Sequence, residues 1–264
     1  MDLVRHAVFV HGAGGGGWEW DIWRRVFVAS GWHTTTPDLQ PVAAGLAATR
    51  LDDYAAQVVS WLHGVDAPVL IGASLGGLLA LMAAARVAPA ALVLINPLPP
   101  VGIEPRPARA DYPKIVPWGS RRSLASTLRA LPDVDAAACL FAFRHWRDES
   151  GAVIRDACAG VVVDMPRCPL LILASELDED VPAQASRALA DSCAAEFRLL
   201  KGASHVGPLL GRDASRVAGA VVVWLEFFRE ELHSSGARVL HRSSSPRSPR
   251  LPSARHSREG GNPF

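Results

Sequence analysis

Six short apolar segments, each closed by turn-forming residues and separated by stretches of helical periodicity, leave this chain little choice of fold. They span residues 7–10, 32–36, 68–71, 91–95, 169–174 and 196–200. Each is rich in apolar or β-branched residues and is bounded by Gly, Pro, Asp or Asn, which supply turns and extend a strand poorly. Between them, residues 53–63 set Tyr54, Val58, Trp61 and Leu62 on one helical face. Residues 75–87 are apolar nearly all round, as suits a helix enclosed between a sheet and other elements. Residues 217–232 place Val217, Val221, Trp224, Leu225 and Phe228 on one stripe. Strands apolar on both faces, alternating with helices, call for a mostly parallel sheet flanked by helices. The expected class is α/β.

The 264 residues suffice for one domain with a two-sided core. Residues 1–97 and 166–233 are expected to form that core. Residues 98–165 break the alternation: they open with Pro99, Pro100, Pro105, Pro107, Pro113 and Pro117 and then carry helical segments at 120–131, 135–146 and 148–163. This stretch is expected to be a helical lid inserted over the sheet. Residues 234–264 are low in complexity, with six Arg and one Glu, and cannot bury apolar surface, so disorder is expected there. An RNA-binding arm is the functional alternative for that tail.

Composition excludes several classes. An apolar content of 49% argues against disorder over most of the chain. No apolar run approaches the ~18–20 residues needed to span a bilayer. The start runs from Met1 straight into the apolar Ala7-Val8-Phe9-Val10, without the parts of a secretory signal. Outside the tail the balance is mildly acidic, which argues against a nucleic-acid face. Cys139, Cys158, Cys168 and Cys193 are widely spaced and form no zinc pattern, as expected of reduced thiols in a cytoplasmic protein.

The strongest local motif is Gly72-Ala73-Ser74-Leu75-Gly76-Gly77, directly after the strand Pro68-Val69-Leu70-Ile71. In Gly-x-Ser-x-Gly on a strand-to-helix turn, the glycines let neighbouring backbone come into contact while only the serine hydroxyl projects. A serine hydroxyl is a weak nucleophile near pH 7 and needs a base held by a third group. Downstream, Ser175-Glu176-Leu177-Asp178-Glu179-Asp180-Val181-Pro182 leaves one strand and Lys201-Gly202-Ala203-Ser204-His205 leaves another. In a parallel sheet all three strand ends lie on one edge, where serine, acid and histidine can converge.

In these motifs the chain resembles the α/β-hydrolase family over roughly residues 7–232. That resemblance implies Ser74 as nucleophile, His205 as general base and, among the four acids of the loop, Asp178 as orienting carboxylate, four residues before Pro182. Asp180 is assigned instead to the entry of the next helix. His11-Gly12-Ala13-Gly14-Gly15-Gly16-Gly17-Trp18 resembles the family's oxyanion loop, with the backbone N–H groups of Ala13 and Leu75 as its donors and His11 tying the loop down. Two features depart from the family pattern: the chain opens on what would be the third strand, and no Gly-rich turn follows Pro37-Asp38-Leu39. No metal and no cofactor is implied. The expected substrate is a small, largely apolar molecule with an ester or related acyl bond (thioester, lactone and carbon–carbon bonds stay open). Trp118, Leu140, Phe141, Phe143 and Trp146 of the lid either face the substrate or pack the lid itself.

Three rivals remain. Gly12, Gly14 and Gly17 also match the spacing of a dinucleotide-binding loop, with Asp38 lying 21 residues beyond Gly17. Against a nicotinamide-dependent oxidoreductase, Trp18, Glu19, Trp20 and Asp21 put bulk and negative charge where a pyrophosphate would sit. A non-catalytic small-molecule receptor on the same fold is the second rival and a purely structural protein the third. No nucleic-acid or membrane partner is expected. The oligomeric state stays open.

Overall fold

The computed structural model describes residues 5–107 and 110–243. All six apolar segments become strands of one sheet: β1 (His6–Val10), β2 (His33–Thr35), β3 (Val69–Ala73), β4 (Ala91–Ile95), a fifth strand at Leu170–Ser175 and a sixth at Glu196–Leu200. Two further strands, β5 (Ile115–Val116) and β6 (Glu149–Ser150), pair antiparallel elsewhere, so the last two strands of the sheet are β7 and β8. The order is β2-β1-β3-β4-β7-β8, and every pairing is parallel. β3, β4 and β7 are buried along their whole length, which is why they read as continuous apolar runs.

The order reverses between β1 and β3. In an open parallel sheet, side chains gather in the crevice beyond the strand ends at such a point. Register keeps those ends level: Val10 lies opposite Gly72, and Ala73 opposite Ile95.

Helices α1 (Asp21–Ala29), α2 (Leu51–Leu62) and α3 (Leu75–Ala84) connect the first four strands. Every residue of α3 is buried. Truncating one of its leucines to alanine would cost about 2–5 kcal/mol. Around β1, Phe9 packs 5.0 Å from Trp20 and 5.2 Å from Phe27, ring centre to centre. Trp23 Nε1 donates to Pro208 O at 2.8 Å.

The inserted segment carries α4 (Leu124–Ala130), α5 (Ala136–His145) and α6 (Gly151–Ala159). Each starts later than its apolar pattern suggests, because a side chain upstream serves as N-cap: Ser123 accepts from Ser126 N–H, Asp135 from Ala138 N–H and Ser150 from Val153 N–H. Val153 and Ala157 of α6 join the apolar cluster formed by α2 and α3, and one compact unit extends to Leu225.

The remaining elements are α7 (Ala183–Ser192), α8 (Gly207–Leu210) and α9 (Ala214–Ser243). A second unit begins at Glu226, and α9 is described as far as Ser243. Residues 234–243 of the stretch expected to be disordered are thus described as part of α9. Residues 244–264, on which the rest of that expectation falls, lie outside the described residues. Among the described residues no helix is long and apolar enough to cross a membrane.

Candidate active site

Ser74 stands between β3 and α3 with φ 55° and ψ −122°, a strained conformation for a residue with a side chain. The chain holds it there by steric necessity. A Cβ on Gly72 would overlap the carbonyl of Gly76, and one on Gly76 would overlap the carbonyls of Val10 and His11. Ser74 N–H donates to Ile95 O at 2.9 Å and Leu98 N–H donates to Ser74 O at 3.1 Å, so the turn is locked to the end of β4. Leu75 opens α3, and its N–H belongs to the first turn, where a helix leaves donors without intrahelical partners.

The acid and the histidine meet. His205 Nδ1 lies 2.7 Å from Asp178 Oδ2, with the carboxylate side chain fully buried and the imidazole 14% exposed. Asp178 Oδ1 accepts from the N–H groups of Asp180 at 2.9 Å and Val181 at 2.8 Å. Asp178 is thus the residue that satisfies the loop's amides. Asp180 does not cap the next helix, where Pro182 is the N-cap and no side chain caps it. Burial alone would lower the His205 pKa. The hydrogen bond and charge of Asp178, with the charges of Asp180 and Glu19, carry it above the ordinary histidine value. Among the described hydrogen bonds, the imidazole's partner is Asp178 and the step from its Nε2 to Ser74 Oγ is not made.

Asn96, which the sequence marks only as a turn residue, fastens the histidine loop. It is buried at the end of β4, with a φ of 46°. Its amide donates to His205 O at 2.6 Å and to Ser175 Oγ at 2.9 Å, and its oxygen accepts from Ser175 N–H at 2.7 Å.

On the other side of Ser74 lies the glycine loop. Its amides are turned onto carboxylates: Gly12 N–H onto Glu19 at 3.2 Å, Gly14 N–H onto Glu149 at 3.0 Å and Gly17 N–H onto Asp38 at 2.7 Å. Three carboxylates on those amides would repel a pyrophosphate, and Asp38 is bound to the loop and to Arg147 at 3.4 Å. These carboxylates weigh against a dinucleotide on this loop. Burial pushes the Glu19 carboxyl up to about 7, against the opposing pull of the Gly12 N–H. Burial likewise drops His11 to about 4 and keeps it neutral.

Asp178, Asp180 and His205 are close enough, within 4.8 Å, to hold a metal ion. In the structure the two Asp178 oxygens accept from the N–H groups of Asp180 and Val181 and contact His205 Nδ1. Aromatic residues of the inserted segment pack against Trp18 at the end of the glycine loop. Trp146 and Phe141 lie 5.3 and 5.7 Å from Trp18, and Phe143 lies beneath the Arg122 guanidinium. Trp118 and Leu140 are about two-fifths exposed. A cavity of about 360 Å³ is lined by residues that include Leu39, Tyr54, Trp146, Arg147 and Glu149, and Ser74, Asp178 and His205 are not among them.

The profile of the alpha/beta hydrolase family matches residues 7–220. No curated protein sequence matches significantly. Among solved structures, a methylesterase from Arabidopsis superposes with a TM-score of 0.65 at 15% identity, over 85% of this chain and all of that one. A pyrethroid hydrolase from Sphingobium faniae gives 0.63 at 18% identity, over 84% of this chain and 98% of the other. A structure from work on two metagenome-derived lipolytic enzymes gives 0.62 at 22%, over 84% and 94%.

Proposed function

The chain belongs to the alpha/beta hydrolase family, and we propose that within it the protein is a serine hydrolase cleaving carboxylic esters of small, largely apolar substrates. The observation that carries this reading is the strained Ser74 turn, set on the same sheet edge as the 2.7 Å Asp178–His205 pair. The esterase and lipolytic structures that share the fold support the bond type.

Asp178 accepts the proton-bearing Nδ1 of His205, which leaves a lone pair on Nε2. As substrate binds, Ser74 Oγ passes its proton to that nitrogen and attacks the acyl carbon. The carbonyl oxygen becomes an oxyanion, and the N–H groups of Ala13 and Leu75 stabilise it. Collapse expels the alcohol, which takes the proton from His205. Water, deprotonated by the same imidazole, then attacks the acyl-enzyme and releases the acid with Ser74 restored. The segment of residues 98–165 serves as the lid, and its exposed Trp118 and Leu140 offer apolar surface to the substrate. The four cysteines are free, in keeping with a cytoplasmic setting.

Hydrolysis of short p-nitrophenyl esters by wild type and by Ser74→Ala tests the reading. We expect turnover in wild type and its loss in a folded Ser74→Ala protein. Equal turnover by both would overturn it.

A further inference from the structure

The glycine loop is held by residues of the inserted segment, and from this contact we propose that Glu149 and Arg147 are positioning residues for the oxyanion hole. The inference rests on the hydrolase reading above. The peptide between Gly12 and Ala13 decides where the Ala13 N–H points. Its carbonyl, Gly12 O, accepts from His11 Nδ1 at 2.8 Å and from Gly15 N–H at 3.3 Å. In a trans peptide the N–H points opposite to the carbonyl. Pinning Gly12 O therefore aims the Ala13 N–H away from those two donors, and among the described residues that N–H has no partner.

Two residues, Glu149 of β6 and Arg147 just before it, hold the rest through side-chain and backbone contacts. Glu149 is 3% exposed, and its Oε2 accepts the Gly14 N–H. Its Oε1 accepts Tyr54 Oη–H at 3.0 Å and Ser150 N–H at 2.8 Å. Burial and the Glu149 charge raise the Tyr54 pKa, so the phenol stays a donor. Arg147 N–H donates to Gly14 O at 2.8 Å and its Nε donates to Gly15 O at 2.7 Å. Gly14 is thus gripped at both its amide and its carbonyl by residues more than 130 positions away.

Arg147 acts on His11 as well. Leu39 N–H donates to His11 Nε2 at 2.9 Å, and Arg147 Nη2 approaches the same nitrogen at 3.2 Å. A backbone amide can only donate, so Nε2 is the acceptor and the ring proton sits on Nδ1, facing Gly12 O. The Arg147 charge favours this neutral tautomer. It also offsets the carboxylates of Asp38, Glu19 and Glu149, which would otherwise oppose an oxyanion forming in front of the loop.

The test compares wild type with Glu149→Ala, Arg147→Ala and Arg147→Lys. Active sites are counted with a fluorophosphonate, and kcat per titrated site and KM are measured on a p-nitrophenyl ester. Binding of an alkyl trifluoromethyl ketone, which is held as a tetrahedral oxyanion, is compared with that of the matching methyl ketone. The expected result for Glu149→Ala and Arg147→Ala is a fall of about 100-fold in kcat per site, with KM within about 2-fold. The trifluoromethyl ketone should weaken in parallel while the methyl ketone does not. Arg147→Lys should recover part of the loss through its remaining charge and donor. Arg147 is 34% exposed, so its variants can be read even where Glu149→Ala does not fold. Unchanged kcat per titrated site in the folded variants, with only fewer sites titrated, would overturn the assignment in favour of a structural role. Wild type that neither labels nor hydrolyses would overturn the hydrolase reading, and this assignment with it.

Discussion

Asp178 and His205 lie 27 residues apart and meet through one bond, whereas the glycine loop opposite them is held by side chains drawn from as far as 135 residues away. The acid loop is built from local parts, a strand exit and two backbone amides on Asp178 Oδ1, while the imidazole on Oδ2 comes from a loop that Asn96 ties down from 109 residues away. The glycine side is assembled by tertiary structure from Glu19, Asp38, Arg147 and Glu149. The Asp178 loop shapes itself; the glycine loop is shaped by what packs around it. The first should therefore fail through chemistry and the second through geometry and charge.

The largest effect should come from the acid side. Asp178→Asn is expected to cut turnover by about 10⁴-fold, because the amide no longer fixes the productive imidazole tautomer. Steady-state kinetics with a melting curve on the same sample check it, and the fold should persist. Activity near wild type would show that another loop acid serves His205.

Glu19→Gln probes the glycine side through pH. In the folded protein the Glu19 carboxyl is raised from 4.5 to about 7 by burial, so the native state binds the extra proton. Its contribution to stability is complete below about pH 4.5 and is lost as pH rises through about 7, on the order of 3 kcal/mol over that window. The variant should lose this slope and be the more stable protein at pH 8, as urea melts across the range would show. His205, Arg147 and Asp38 face the same carboxyl, so the slope in wild type belongs to the group rather than to Glu19 alone. Identical slopes in both proteins would contradict the account.

Gly14→Ala should act next. Gly14 has φ +67°, and a Cβ there would meet Trp118 Cε3 at 2.7 Å and Arg147 O at 3.2 Å. Displacing the loop should cost about 100-fold in kcat and about 1–3 kcal/mol of stability from backbone strain. Wild-type kinetics would mean that the loop is looser than its contacts imply.

The smallest effect belongs to Asp180→Asn, which should stay within about 0.5 kcal/mol of wild-type stability because this exposed side chain caps no helix. The acid limb of kcat/KM, set by a raised His205 pKa, should move slightly toward lower pH as one negative neighbour is lost. A movement in the opposite direction would contradict that electrostatic reading.

The same contrast explains what could be read from the residues beforehand. The sheet was legible because Val69-Leu70-Ile71 and Leu170-Leu171-Ile172-Leu173 are buried on both faces, so their composition alone marks them. The steric demand for Gly72 and Gly76 was legible too, since Gly-x-Ser-x-Gly compresses it into five residues. Glu149 and Arg147 gave no such signal. They sit in a polar Arg-Asp-Glu-Ser run that reads as a solvated loop, and only packing of the inserted segment against the glycine loop turns them inward. Asn96 carried a faint one: a polar residue directly after a fully apolar strand and before Pro97, on the edge where site residues gather.

The central claim is that Ser74 is the nucleophile. Its most direct test is reaction of wild-type protein with a fluorophosphonate, followed by peptide mapping of the adduct and a parallel assay of ester turnover. We expect one phosphonate per chain, on Ser74, formed in step with loss of activity and absent from folded Ser74→Ala. An enzyme that hydrolyses esters yet carries the label on another residue, or that keeps its activity with Ser74 fully modified, would contradict it.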